Sequence, residues 1–473
     1  MICYQIFIRS FADSNNDGIG DLNGITSRLD YLVELGIDSI WLTPISPSPT
    51  YHKYDVTDYY AVEPEYGTMA DFQELIKQAH ARNIKVIIDL VLNHCSEQHP
   101  WFVDAISDVN SKYRNWFVWD EKENITTYLD QWHPSPLNDD DQYYFAHFWK
   151  GMPDLNYDNQ AVRDQAIDIA KFWITQGIDG FRLDAAKHIF PLESEHENHR
   201  WWREFRMAVG KDKSAFYIVG EVADKCEIIA PYLDYALNCC FNFELAENII
   251  VSVNESKHLH LAPWLVFTYQ CYATDDPKFG DALFLSNHDQ DRVASRLKNN
   301  IRKIKMAANI LFTLPGDIYI YYGEELGMLG MKPDEHIREP FLWDVYDNAL
   351  TKWIVPKHST HTSVSPLSFQ KREKQSIYLH YKKLIDFRKT MFNKISYKIA
   401  DAEYGCEILA YKLFDETTEY LLLHNLSPRT VTPKVEVDAD SVIYFLNKNV
   451  MHNSKTFNIP GFHSVIIKTP LSI

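Results

Sequence analysis

Three carboxylates stand where short apolar runs end: Asp184 after Gly180-Phe-Arg-Leu183, Glu221 after Val219-Gly220, and Asp289 after Ser286-Asn-His288. Two histidines end runs in the same way, His94 after Asp89-Leu-Val-Leu-Asn93, and His288. Any one of these acids alone reads as a helix cap or a structural ion pair. Together, at the ends of separate runs, they describe one site with several acids. Arg182 and Asp184 are two apart on a strand and so point to the same side. A cation that close is expected to lower the Asp184 pKa and keep it ionised, as a nucleophile requires. Glu221 lies between Val219 and Val222, where partial desolvation raises a carboxyl pKa towards that of a general acid. Two carboxyls with pKa values pushed apart are the equipment for glycoside hydrolysis: one attacks the anomeric carbon while the other protonates the leaving oxygen.

The elements needed to bring these side chains together are legible. Strand-like runs occur at Ile6–Ile8, Ser39–Thr43, Val86–Leu92, Gly180–Leu183, Phe216–Val219, Cys239–Phe243, Ala282–Leu285 and Ile318–Tyr322. Helical stripes separate them. Phe72, Leu75, Ile76 and Ala79 fall at i, i+3, i+4, i+7; Val162, Ala166, Ile169, Ala170 and Trp173 form another stripe, with Asp158 or Asn159 as N-cap. Eight strands alternating with helices predict an α/β protein built on a (β/α)8 TIM barrel, whose active site lies at the C-terminal strand ends. A long excursion after the third strand is expected to be a small inserted domain. After the helical Ile377–Thr390, alternating runs (Ile408–Phe414, Tyr420–His424, Val442–Leu446, Ser464–Lys468) predict a C-terminal antiparallel β domain. The expected division is barrel over 1–94 and 152–392, inserted domain over 95–151, and C-terminal domain over 393–473.

Composition narrows the partners. The 473 residues carry 47 Lys+Arg against 65 Asp+Glu, a net charge of −18, which repels a phosphate backbone and argues against nucleic acid. No run approaches the roughly 18 apolar residues of a membrane helix. Seven cysteines, with an adjacent pair at Cys239-Cys240 and no CxxC, fit neither a disulfide framework nor a zinc ribbon. With no signal peptide visible at the start, a cytoplasmic monomer is expected, or a secreted protein if a leader has been removed. His196-Glu-Asn-His199 lacks HExxH spacing, and His258-Leu-His260 does not end the first strand as a metal-dependent barrel hydrolase requires.

Seven motifs in order carry a resemblance: Gly36-Ile-Asp-Ser-Ile-Trp-Leu-Thr-Pro44, Asp89–His94, Met152-Pro-Asp-Leu-Asn156, Gly180–His188, Gly220-Glu221, Phe284–Asp289 and Gly323-Glu-Glu-Leu-Gly-Met328. The sequence resembles the α-amylase superfamily, glycoside hydrolase family 13, over nearly its whole length. The resemblance implies that Asp184 is the nucleophile, Glu221 the acid/base and Asp289 the stabiliser of the transition state. It places Tyr54, His94, Arg182 and His288 around the attacked sugar, and Lys187 and His188 on the leaving-group side. It implies double displacement with retention of the α configuration, on an α-glucan or maltooligosaccharide. Met152–Asn156 is similar to the version in neopullulanase-like and intermediate α-amylase members, and Ala185 to α-1,4-acting ones. Cyclomaltodextrinase-like or α-glucosidase activity, α-1,6 cleavage and transglycosylation share the same residues. A non-catalytic glycan-binding homologue is disfavoured because all three acids are present. Arg338 and Trp343 read either as sugar contacts or as packing.

One motif is separable from catalysis. Asp13, Asn15, Asp17 and Asp21 place oxygen ligands at alternating positions around Gly18, an EF-hand-like Ca²⁺ spacing without the closing Glu, since Gly24 stands there. The alternative is an Asx-rich loop with no metal. Close superfamily members hold structural calcium in this loop, which implies the carbonyl of Ile19 as a further ligand. Some α-amylases hold another calcium at the residues matching Asn93 and the His188 carbonyl.

Overall fold

The computed structural model describes residues 1–136, 141–190, 195–210, 216–273, 280–392, 398–447, 450–452 and 455–471. Eight strands, β1 (Ile2–Ile6), β2 (Ser39–Leu42), β3 (Lys85–Leu90), β4 (Gly180–Leu183), β5 (Tyr217–Gly220), β6 (Cys239–Cys240), β7 (Ala282–Leu283) and β8 (Asp317–Tyr321), pair in the order β7-β8-β1-β2-β3-β4-β5-β6, every pair parallel. A parallel bridge between Phe241 and Ala282 joins the two ends, and Asn242 N–H donates to the Ala282 carbonyl at 3.1 Å. The expected (β/α)8 barrel is therefore present.

The first strand differs from its expected place. It runs Ile2–Ile6, and Ile8–Phe11 forms a helical turn instead. The apolar residues continue past the strand's end through Phe7 and Ile8, so periodicity does not mark that end. Pairing does: Cys3 faces Ser39 on one side and Tyr319 on the other.

The helices bury the predicted stripes. Met69–His80 buries Phe72, Leu75, Ile76 and Ala79 and starts on a capping box from Thr68 and Asp71. Gln160–Thr175 buries Val162, Ala166, Ile169, Ala170 and Trp173. Its N-cap is Asn159, whose side chain accepts from Ala161 N–H at 3.0 Å. The helix Leu29–Leu35 stops at Gly36 with φ 94°, where a Cβ would come within 2.8 Å of Ile385 Cγ2; the turn into β2 requires glycine.

After β3 the chain builds a three-stranded antiparallel sheet from Trp119–Glu121, Gln142–Phe145 and Trp132–Pro134, with Gln142–Phe145 in the middle. Bridges from His94 to Asp154 and Phe117 to Leu155 fasten it beside the barrel mouth. At the C-terminal end, β9 (Lys398–Glu403), β10 (Ile408–Phe414), β11 (Thr418–Asn425), β12 (Val442–Phe445) and β13 (Ser464–Pro470) form an antiparallel sheet in the order β9-β10-β11-β13-β12. Alternate residues face opposite ways: Leu409, Tyr411, Leu413 and Leu422 join the main core, while Ile408, Ala410, Leu421 and Leu423 form a second one. The expected boundary at 393 falls within 393–397, outside the described residues. All seven cysteines are free thiols, and no helix among the described residues is long and apolar enough to cross a membrane.

Candidate active site

Register sets the site. In the barrel wall Asp89 pairs with Arg182, and Leu183 with Gly220. One residue further on, Asp184 N–H donates to the Leu90 carbonyl at 3.2 Å and Glu221 N–H to the Leu183 carbonyl at 3.0 Å. Parallel pairing thus delivers Asp184 and Glu221 at one level of the barrel mouth. Ala185, between them in the chain path, has a left-handed φ of 45°, and its N–H reaches Glu221 Oε2 at 3.1 Å. A non-glycine residue held in that region is strained, and here the strained turn turns its amide onto a site carboxylate.

Arg182 is the hub. Its guanidinium is 1% exposed and contacts Asp89 Oδ1 at 2.5 Å, Asp184 Oδ1 at 2.6 Å and Glu221 Oε2 at 2.7 Å. Asp89 also accepts from Trp41 Nε1 at 2.9 Å and Tyr54 OH at 3.1 Å. One cation therefore faces three acids. Burial pushes Asp89 up to about 6, Asp184 up to about 7 and Glu221 up to about 7 against the pull of Arg182. For Glu221 this is the expected direction. For Asp184 the expectation was the opposite: Arg182 does lower it, but burial and the neighbouring Asp89 charge outweigh a cation that is shared three ways. The carboxylates titrate as a unit that retains a proton near neutrality.

Asp289 completes the trio from another side of the barrel mouth. Its charge raises the pKa of both Asp184 and Glu221. Burial works against its own ionisation, but His288, Arg338 and Arg182 overcome that and hold it below the usual carboxylate range. Arg338 Nη2 lies 2.8 Å from Asp289 Oδ1, and His288 Nε2 lies 3.1 Å from Oδ2. Burial drives His288 down to about 3, so near neutrality it supports the Asp289 charge through its Nε2–H and not as a cation. The Gln5 amide against its Nδ1 at 2.7 Å leaves the ring proton on Nε2, facing Asp289 and the Tyr54 hydroxyl. Tyr54 stacks on the His288 ring at 5.3 Å and 10°.

The remaining sequence-predicted residues divide into two groups. His94 is buried, pushed down to about 3 by that burial; its Nε2 donates to the Tyr54 carbonyl at 3.2 Å, and its Nδ1 lies 3.0 Å from Asn93 Oδ1. Lys187 pairs with Asp224, and the His188 ring stacks on His147 at 4.0 Å. The acidic loop stands apart from this cluster. There Asp13 accepts N–H bonds from Asn15, Asn16 and Gly18, Asp17 from Ile19, and Asp21 from Ser14 and Gly24. Among the described residues no cation pairs with Asp13, Asp17 or Asp21, and no backbone N–H takes the Ile19 carbonyl. Three hard anionic donors, an amide oxygen and a carbonyl, without a counter-ion, are the donor types Ca²⁺ takes, but the three carboxylates do not gather within 4.8 Å of one another. Near the mouth the Asn93 amide instead donates to the His188 carbonyl and to Asp154.

Two contributors, Asp89 and Gln5, were not singled out as site residues by sequence reasoning, though both left a signal as polar residues inside apolar strands. Arg338, read as a sugar contact or as packing, lies against Asp289. Trp343 is packing: it is 3% exposed and donates to the Phe11 carbonyl at 2.7 Å.

The family model "Alpha amylase, catalytic domain" matches residues 5–397. "Alpha-amylase 3" of Dictyoglomus thermophilum is 43% identical over 477 residues, covering 99% of this chain and 93% of that protein. A 4-alpha-glucanotransferase of Thermotoga neapolitana is 34% identical, covering 90% of this chain and 96% of that one. Among solved structures, an α-amylase from H. orenii superposes with a TM-score of 0.90 at 39% identity, covering 99% of both chains.

Proposed function

The chain belongs to the α-amylase family of glycoside hydrolases (family 13), and on that premise we propose that it cleaves α-1,4-glucosidic bonds of starch-type glucans or maltooligosaccharides by double displacement. The observation that carries the reading is Arg182, which gathers Asp184 and Glu221 on one guanidinium. In this reading the Asp184 carboxylate attacks the anomeric carbon and forms a glycosyl ester. Glu221 gives its proton to the leaving oxygen, then takes one from the water that cleaves the ester, which restores both groups. Asp289, kept anionic by Arg338 and His288, accepts hydrogen bonds from the sugar hydroxyls. Tyr54 and His94 support the attacked ring, while Lys187 and His188 face the departing chain.

Ca²⁺ in the Asp13–Asp21 loop, held by Asp13, Asn15, Asp17, Asp21 and the Ile19 carbonyl, would supply a structural cross-link and no chemistry. A second reading, transfer of the glycosyl unit to a sugar acceptor instead of water, is favoured by the glucanotransferase relative. The same residues serve it.

The test is product profiling on starch, maltotriose, pullulan and a cyclodextrin, with the anomer of the first product read by NMR. Release of α-configured maltooligosaccharides from starch is expected. Initial β products, or cleavage confined to α-1,6 bonds, would overturn the reading. Asp184→Asn should lower turnover on the order of 10⁴-fold or more while folding is kept.

A further inference from the structure

A groove of about 630 Å³ lies where the barrel helices Ile301–Thr313 and Ile377–Met391 meet the C-terminal domain. On a chain of net charge −18 its lining is strongly cationic: Arg302, Lys305, Lys374 and Lys383, with His380 and His463. Among the described residues no carboxylate forms an ion pair with any of the four permanent cations. Arg302, Lys305 and Lys383 donate to backbone carbonyls. Arg302 donates to Gly461 at 2.8 Å, Lys305 to Gln375 at 2.5 Å, and Lys383 to Phe445 and Leu446 at 3.1 and 2.8 Å.

Three facts separate this groove from an ordinary basic surface. First, the cations converge. Burial pushes His380 down to about 3, and the charges of Lys305, Lys383 and His463 lower it further, against a rise from its hydrogen bond with the Lys305 backbone. Second, burial also depresses Lys305 and Lys383, so the folded chain holds charge here at a cost. Glu373 pulls Lys305 the other way. Third, the donors are not exhausted. A lysine ammonium carries three N–H and a guanidinium five, and the carbonyls take only one or two from each residue. Like charges gathered without counter-ions, with spare donors around a cavity, describe a receptor for an anion.

We propose that this groove binds a small, multiply charged phosphate compound, either a free polyphosphate or a phosphorylated sugar. Bound there, the anion bridges the barrel and the C-terminal domain, because Arg302 and Lys383 already reach across that junction. None of the lining residues belongs to the Asp184–Glu221–Asp289 cluster, so this inference stands or falls apart from the proposed hydrolysis.

The test is calorimetric titration of the full chain at low ionic strength with inorganic tripolyphosphate and, separately, glucose 6-phosphate, against sodium sulfate at matched ionic strength. Saturable binding of at least one phosphate compound, tighter than sulfate, is expected; glucose 6-phosphate alone would point to the sugar phosphate, tripolyphosphate alone to the polyphosphate. Lys305→Gln and the exposed Lys374→Gln should each weaken it several-fold, and Arg302→Gln with Lys383→Gln together at least tenfold. Starch hydrolysis without the anion should be unchanged in all of them, and Lys171→Gln, on another face, should leave the affinity unaltered. Absence of binding to the wild type, binding no tighter than sulfate, or equal loss in Lys171→Gln would overturn the proposal. Because Arg302, Lys374 and Lys383 are exposed, their variants remain informative if the half-buried Lys305 substitution impairs folding.

Discussion

Arg338 Nη2 sits 2.8 Å from Asp289 Oδ1, at a residue only 3% exposed whose Nε also donates to the His288 carbonyl at 2.8 Å. One side chain thus fixes both the charge and the backbone of the Asp289 segment. Arg338→Lys keeps a cation but loses the fork that makes both contacts. We expect kcat/KM to fall by about 10- to 10³-fold, roughly 1.4–4 kcal/mol of transition-state stabilisation, with the melting temperature little changed. Unaltered kinetics on maltooligosaccharides would show that Asp289 does not depend on this partner.

The shared proton predicts a narrow pH profile. With Asp89 at about 6 and both Asp184 and Glu221 at about 7, activity falls on the acid side as the nucleophile is protonated. It falls on the alkaline side as the last proton leaves the acid/base. A bell in kcat/KM centred between these values is expected. A plateau extending well into the alkaline range would contradict a proton held within this cluster.

Two buried acids should make the fold itself sensitive to alkali. Glu325 accepts from Tyr4 OH at 2.9 Å and Tyr31 OH at 2.5 Å, and its Oε2 is buried without a partner. Glu324 accepts from Tyr381 OH at 3.0 Å. Burial pushes them up to about 7 and about 8. The native state therefore keeps protons that the unfolded chain has released above an ordinary glutamate pKa. Stability is fullest below that value and declines as pH rises towards the folded values, by at most ~1.4 kcal/mol per pH unit per group. In urea titrations at about pH 5.5 and about pH 8, Glu325→Gln should show a smaller difference than wild type. An equal difference would remove Glu325 from the account.

If the Asp13–Asp21 loop holds Ca²⁺, chelation should lower the melting temperature by a few degrees, the size expected for an ion present at about 100 times its Kd. Asp17→Ala should reproduce the lower value and abolish the response to added Ca²⁺. A chelator effect that persists in Asp17→Ala would place the ion elsewhere.

Strand-end acids were legible because a parallel barrel sends the C-terminal ends of its strands to one mouth, so Asp184 and Glu221 needed only the strand pattern. The C-terminal sheet was legible from its short apolar runs between turns: Ile408–Phe414 is one strand from end to end, with a core on each face. What escaped depended on contacts between distant segments. Arg338 meets Asp289 across 49 residues, and no local period announces that. The charge state of Asp184 escaped for a related reason. Spacing along one strand reveals its own Arg182 but not the claims of Asp89 and Glu221 on the same cation. The start of the barrel was misplaced because Gln5 interrupts the apolar residues inside the strand while Phe7 and Ile8 extend them beyond it, and only neighbouring strands define the edge.

The wall is held unevenly. Between β6 and β7, each two residues long, it rests on the Phe241–Ala282 bridge and the few backbone bonds beside it. Every other junction has a ladder. Amide hydrogens along this slit should exchange before those of β1 to β4; Asp289 follows β7 on one side of it, and Glu221 follows β5, the strand next to β6, on the other. Fluctuations there would alter the spacing of proton donor and hydroxyl clamp first, which makes this slit the place where heat or cosolvent should erode turnover ahead of global unfolding.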